Sequence, residues 1–343
     1  MTSPGRGGPP GERELIGHIR GRLPAAPAAL IVGPGDDAAV IVPERGALQV
    51  LTTDAVVEGI HFDRRFSTLA DVGYKALAVN VSDLVAMGGT PQFALLSLIL
   101  PEGTSLPDLD ALLDGLLEMA AAARVACVGG NISRSPGPLI VDVTVTGSVR
   151  PRRLLTRGGG RPGDQLFVTG SIGGAAAGLD WLRQREFQRS AEATAPQESM
   201  DACALRHRRP EPRTRFGMLL GRNKAASACM DLSDGLADAV RQVAEASGTG
   251  ALVEAASLPT DPAAAAWWRS RGNDPVVAAL AGGDDYELLF AVPNKFRGRM
   301  RAVAREARGL PFTRVGELTA DRSLVVRRDG QDEALPEGFE HFG

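Results

Sequence analysis

The 343-residue chain contains no GxxxxGK[ST] sequence, so a P-loop cannot be what holds any nucleotide phosphates it binds. No GxSxG, SxxK or Cys/His nucleophile pattern occurs, and there is no HRD and DFG pair, so neither a hydrolase nor a protein kinase is indicated. Histidine occurs four times and never at HxxxH spacing, which argues against zinc.

Cysteine is scarce. Cys127, Cys203 and Cys229 are far apart, odd in number and not in a CxxC pair; buried thiols in a reducing cytoplasm are expected, not a disulfide framework. Lysine occurs only at 75, 224 and 295, and the net charge of −3 gives no electrostatic reason to expect nucleic acid or an anionic membrane as partner. The longest apolar runs, 93–100 and the alanine-rich 119–128, fall short of the ~20 residues that a membrane span needs. The opening MTSPGRGGPPGER is Gly/Pro-rich without the apolar core of a signal peptide, and 1–13 is expected to be a disordered tail.

What is present is an ordinary globular composition, 44% apolar and 23% charged, in a chain long enough for two domains. A helix is expected over 69–87, breaking near Asn80 and resuming at Asp83, because Ser and Asp are favoured helix starters. Leu106–Val125 has Pro107 and Asp108 at its start and Leu112, Leu113, Leu116 and Met119 on one stripe, the pattern of an amphipathic helix. Over 139–149, Leu139, Val141, Val143 and Val145 alternate with Asp142, Thr144 and Thr146, as in a half-buried strand; this strand is expected to be edge-prone and to need a partner. The basic, glycine-rich 150–163 reads as a boundary. Beyond it come a strand at 165–169, an alanine-rich helix, a helix over 236–247 and a strand near Leu288. Strands and helices in succession give an α/β or α+β fold.

Acids sit where strands break into turns. GPGDDAAV (33–40), LTTDAVVEGIHF (51–62), NVSDLVAMGG (80–89), DLSDG (231–235) and GGDDYELLF (282–290) suit hard, oxygen-liganded magnesium that meets a nucleotide's phosphates. Such acids, if they converge, repel one another and call for cations. Ser82-Asp83 and Ser233-Asp234 are expected to start two helices, which fits either an internal repeat or shared capping chemistry. By residue type alone His61 reads as a partly buried structural histidine, Arg157 as either an anion contact or a solvated linker residue, and the basic run 206–213 as a solvated helix end.

Taken together, GPGDDAAV, TTDAVVEGIHF, GYKALAVNVSDLVAMGGTP, GGNISR, LTRGGGRPGD, DLSDGL, GGDDYELLF and the terminal GFEHF resemble the thiamine-monophosphate kinase family of the AIR-synthetase-like (PurM-like) superfamily, from about residue 12 to the end. The resemblance implies a two-domain PurM-like fold, 14–149 and 150–343, with the first domain pairing in a homodimer through β-sheet and ATP and Mg²⁺ in the cleft. It implies transfer of the γ-phosphoryl of ATP onto the phosphate of thiamine monophosphate. It places metal ligands at Asp37, Thr52, Thr53, Asp54, Asp83, Asn131, Asp231 and Asp234, of which Asp83, Asp231 and Asp234 would be catalytic. Nucleotide contacts fall at Gly130, Asn131, Arg157 and Ser233, and substrate contacts at His61, Asp284 and Phe339. Asn131 stands where the family usually has Asp, and Asp284 where Glu is common. The alternatives are another ATP-dependent synthetase or kinase of the superfamily, or a non-catalytic nucleotide-binding protein of that fold. A selenophosphate synthetase would carry a reactive cysteine near the N-terminus, and the first cysteine here is Cys127.

Overall fold

The computed structural model describes residues 11–187 and 197–338. They form two compact units: the described residues up to Asn80 together with Pro91–Gly147, and Val81–Thr90 together with those from Ser148 onward. Residues 81–90 therefore belong to the second unit, not to the first as a single boundary at 149/150 would have it. Residues 1–10 of the expected tail, and Phe339, lie outside the described residues; at 12 and 13 the chain is already helical.

In chain order the first stretch runs α1 (Glu12–Arg22), β1 (Leu30–Val32), β2 (Val40–Ile41), β3 (Leu48–Val57), α2 (Leu69–Ala86), β4 (Thr90–Pro101), α3 (Leu106–Ala123), β5 (Ala126–Ser135) and β6 (Ile140–Val149). β1 and β2 pair antiparallel, and the other strands form a four-stranded sheet in the order β3-β6-β4-β5. Val141, Val143 and Val145 are fully buried, as the alternation predicts. β6 is nevertheless not an edge. It lies between β3 and β4, so the open edges of this sheet are β3 and β5.

Ser105 and Asp108 form a reciprocal capping box at the start of α3, and Leu109, Leu112, Leu113, Leu116 and Met119 are its buried stripe. Each such side chain contributes about 1.5–3 kcal/mol of burial. α2 and α3 meet backbone to backbone. A Cβ on Gly73 would stand 1.9 Å from the carbonyl oxygen of Leu112, and one on Gly115 would stand 1.7 Å from that of Ala70, so only glycine permits the contact.

The expected break in α2 does not occur: the helix is continuous from Leu69 to Ala86. The would-be capping side chains are engaged elsewhere. Asn80 donates through Nδ2 to the carbonyl of Ala76 at 3.0 Å, a back-bond that leaves the helix intact, and the hydroxyl of Ser82 reaches Asp231.

The second stretch runs β7 (Gln165–Thr169), α4 (Gly174–Phe187), α5 (Gln197–Arg208), α6 (Thr214–Asn223), β8 (Ala228–Asp231), α7 (Leu236–Ser247), β9 (Gly250–Glu254), α8 (Pro262–Ser270), α9 (Pro275–Ala281), β10 (Leu288–Val292), α10 (Arg297–Glu306), β11 (Phe312–Thr319), β12 (Leu324–Arg328) and β13 (Gln331–Ala334). Its seven strands form one mixed sheet, β13-β12-β9-β11-β7-β10-β8, in which β12 and β9 are parallel. β10 is buried throughout because both faces of the sheet are covered. Leu289 and Ala291 join Leu236, Val240 and Val243 of α7, whereas Leu288, Phe290 and Val292 join Phe216 and Leu220 of α6 and Met300 and Val303 of α10. Phe167, Phe216, Phe290 and Phe312 stack on the latter face, with ring centroids 5.5–6.1 Å apart. Cys203 and Cys229 are buried, Cys127 is partly so, and none is bonded to another. Burial pushes the Cys127 thiol up to about 11.

Candidate functional site

In the second unit, the turn that ends β8 and the loop that leads into β10 lie side by side. The N–H of Asp284 donates to the carbonyl of Ser233 at 2.7 Å, that of Tyr286 to Leu232 at 2.9 Å, and that of Leu232 to Glu287 at 2.8 Å. A Cβ on Gly283 would stand 2.5 Å from the Ser233 carbonyl oxygen, so the two loops could not lie this close with a side chain there. Asp231, Ser233, Asp234 and Asp284 are thereby carried on neighbouring turns. Gly338 approaches the same place, since a Cβ on it would meet Asp238 and the carbonyl of Asp234.

Asp231 is 3% exposed, and Ser82 Oγ donates to its Oδ2 at 2.6 Å. Burial, and then the negative charge of Asp83, push its carboxyl up to about 7; the Ser82 bond and the positive charge of Arg157 pull the other way. Two carboxylates that cannot comfortably ionise together, one deeply buried, are the surroundings in which a bound divalent cation relieves repulsion. Hard oxygen donors suit magnesium. Among the described residues no three His, Cys, Asp or Glu side chains gather as a ready-made cage, so an ion here would draw its remaining ligands from water or phosphate, as magnesium commonly does.

Arg157 donates to Gln242 Oε1, whose amide in turn donates to Asp238 at 2.6 Å, so its guanidinium is oriented over α7. The two Ser-Asp pairs do not share a geometry. Ser82-Asp83 lies inside α2, whereas Ser233-Asp234 precedes α7, whose N-cap is Gly235 at φ 97°. The basic run 206–213 is not a solvated helix end either. Arg213 donates to Glu287 through Nε at 2.7 Å and Nη2 at 2.5 Å, Glu287 is fully buried, and His207 is 2% exposed.

In the first unit, Asp36 and Asp37 occupy the turn between β1 and β2 and are exposed. Thr52, Thr53 and Asp54 lie on β3, where Thr53 Oγ1 bonds Asp142 at 3.1 Å and Thr144 at 3.0 Å. His61 accepts the Val57 N–H at Nδ1, 3.1 Å, which leaves Nε2 as the protonated nitrogen; its carbonyl accepts from Lys75 at 3.0 Å. Gly130 and Asn131 lie on β5. Gly130 owes its identity to the sheet: at φ 157°, a Cβ would stand 1.8 Å from the carbonyl oxygen of Leu96.

β3 and β5 are opposite edges of the four-stranded sheet. Thr52–Asp54 and Asn131 are therefore three strand spacings apart along it, roughly 14 Å, and this sheet does not bring them to one ion. Ser82 and Gln242 are site-lining residues that the motif reading left unassigned; for Ser82 the signal was its place beside Asp83.

Residues 35–149 match the family described as AIR synthase related protein, N-terminal domain, and residues 161–329 match the C-terminal domain of the same family. The thiamine-monophosphate kinase of Escherichia coli K12 is 38% identical over 338 residues, 97% of this chain and 98% of that protein. That of Bacillus subtilis 168 is 36% identical over 91% and 93%. The chain belongs to the thiamine-monophosphate kinase family. A solved complex of AaThiL with AMPPCP and TMP superposes with a TM-score of 0.75 at 32% identity, covering 88% of this chain and 89% of that one.

Proposed function

We propose that this protein transfers the γ-phosphoryl group of ATP directly onto the phosphate of thiamine monophosphate, giving thiamine diphosphate and ADP. The carrying observation is the buried, serine-anchored Asp231 beside Asp83 in a chain of this family. Asp83, Asp231 and Asp234 would hold Mg²⁺ together with water and phosphate, and Asp37, Thr52, Thr53, Asp54 and Asn131 would serve as ligands to further Mg²⁺ ions. Magnesium, when bound, neutralises the phosphates of two anions that otherwise repel. The acceptor phosphate is already ionised near pH 7, so no protein nucleophile is required, and the residues act by positioning. Arg157 adds a fixed positive charge for the nucleotide, Ser233 and Gly130 supply polar and close backbone contacts, and His61, Asp284 and Phe339 contact the vitamin.

The active form is a homodimer. β3 is an open edge that exposes Leu48 at 45% and Leu51 at 64%, and an exposed apolar edge strand calls for a partner. A second copy could also bring its β5 edge toward β3, where Asn131 would complement Thr52–Asp54. The compartment is cytoplasmic: three unbonded cysteines fit a reducing environment, and among the described residues no helix is long and apolar enough to cross a membrane.

The test is incubation with ATP, Mg²⁺ and thiamine monophosphate, followed by chromatography. Thiamine diphosphate and ADP should form in equal amounts, and unphosphorylated thiamine should give no product. Absence of thiamine diphosphate from folded protein at saturating substrates and Mg²⁺ would overturn the reading.

A further inference from the structure

The loop from Gly282 to Glu287 is fastened at more points than a connector needs. Asp285 accepts the N–H of Gly173 at 2.5 Å and of Ala175 at 3.1 Å, which closes the start of α4. Glu287 takes Arg213 through two nitrogens and the hydroxyl of Thr169 at 2.7 Å. Between and beside these anchors, Asp284 and Tyr286 adopt left-handed backbone, φ 68° and 49°. Non-glycine residues hold that conformation at a cost and keep it only where the surroundings fix it. Asp285 and Glu287 are buried at 5% and 0%, whereas the Asp284 side chain keeps 28% of its surface exposed.

His207 stands behind that exposed carboxylate. It is on the last turn of α5, its side chain is 3% exposed, and its Nδ1 lies 3.0 Å from Asp284 Oδ2. The neighbouring Arg206 ties the same turn down by donating to Ser171 Oγ at 2.7 Å and to the Ser171 carbonyl at 2.5 Å. A buried, rigid imidazole therefore meets one oxygen of a short acid whose backbone is already fixed. A polar contact of this kind restricts the acid's rotamers before substrate arrives, and such contacts tighten in the substrate complex.

We propose that His207 is a positioning residue for thiamine monophosphate: it holds the Asp284 carboxylate in the orientation that meets the cationic, amino-bearing vitamin. This rests on the reading of Asp284 as a substrate contact given above. His207 is buried behind Asp284 and acts through it, so its effect should fall on binding of the vitamin.

The experiment uses the full chain with ATP and Mg²⁺. His207→Leu fills the buried space without a donor, and His207→Asn keeps an N–H near the position of Nδ1. Rates are measured against each substrate with the other saturating, and thermal melting confirms the fold of every variant. His207→Leu should raise KM for thiamine monophosphate roughly tenfold, about 1.4 kcal/mol, the cost of losing one close polar contact to a charged group. KM for ATP and kcat should stay within about twofold of wild type, the split that marks lost substrate binding. His207→Asn should restore most of the loss. Joined to Asp284→Asn, His207→Leu should add nothing, because coupled residues are non-additive.

If His207→Leu leaves KM for the vitamin unchanged while Asp284→Asn raises it, the positioning role falls and the substrate role of Asp284 survives. If Asp284→Asn also has no effect, both fall together. Additive effects, or a rise in KM for ATP, would overturn the proposal as well. Should the leucine variant melt below assay temperature, His207→Met, which also lacks an N–H donor, replaces it, with the same outcomes deciding.

Discussion

Ser82 Oγ and Asp231 Oδ2 are 2.6 Å apart, although 149 positions separate them in the chain. The bond fastens the C-terminal turns of α2 to the end of β8 within the second unit. It also favours the ionised form of a carboxylate that burial and Asp83 otherwise push toward the neutral form.

Asp234→Asn should keep the fold and lower kcat by orders of magnitude, since metal stabilisation of developing charge is worth several kcal/mol. Steady-state kinetics on a variant whose melting temperature matches wild type decides it. Near-normal turnover would remove Asp234 from the metal site.

Stability without metal should depend on pH through Asp231. Its folded-state value is raised from 3.8 to about 7, so between these values the folded protein binds a proton that the unfolded chain has released. Stability from this group is thus intact below about pH 4, falls as pH rises, and is lost above about pH 7. Mg²⁺ should therefore raise the melting temperature more at pH 8 than at pH 5.5. In Asp231→Asn both the pH slope over this window and the extra effect of Mg²⁺ should shrink. Parallel melting curves for the two proteins across pH 4–8 would disprove the assignment.

Removing one partner of a buried ion pair is costly because the other charge is stranded. Arg213→Met, which leaves the fully buried Glu287 with Arg206 at 3.5 Å in place of its two-nitrogen partner, should destabilise the protein by about 3 kcal/mol, the low end for a broken buried pair. Adding Glu287→Gln to it should recover part of the loss. Urea unfolding of the single and double variants measures both, and a loss below about 1 kcal/mol, the range of a surface pair, would contradict the pairing.

Light scattering should give a mass near twice the 35.9 kDa of the chain. Leu51→Lys, which places a charge on the exposed edge of β3, should shift the protein toward monomer and lower its activity, as charges on edge strands oppose pairing. A wild-type monomer at micromolar concentration with full activity would rule out the dimer.

Local elements whose patterns are self-contained are legible in the chain alone. The stripe and cap of α3 and the alternation of β6 could be read from neighbours in the chain, because capping and periodicity depend on residues a few positions apart. The same was true of the acid-bearing turns at 33–37, 232–235 and 282–287, since Gly and Asp mark where a strand must bend, but Asp54 lies within β3 and Asp83 within α2. Tertiary structure decided where long-range partners compete for the same side chains. Asn80 and Ser82 have the composition of a helix start, yet α2 passes straight through them because Asn80 bonds Ala76 and Ser82 bonds Asp231. β6 looks like an edge from its polar face, yet β3 and β4 flank it, an order that no single strand encodes. Arg206, His207 and Arg213 read as a solvated basic run, and only the fold brings them against Asp284, Asp285 and Glu287. Charge in the sequence carries a sign but no address; the address comes from which loops pack together and which of their polar groups are left without water.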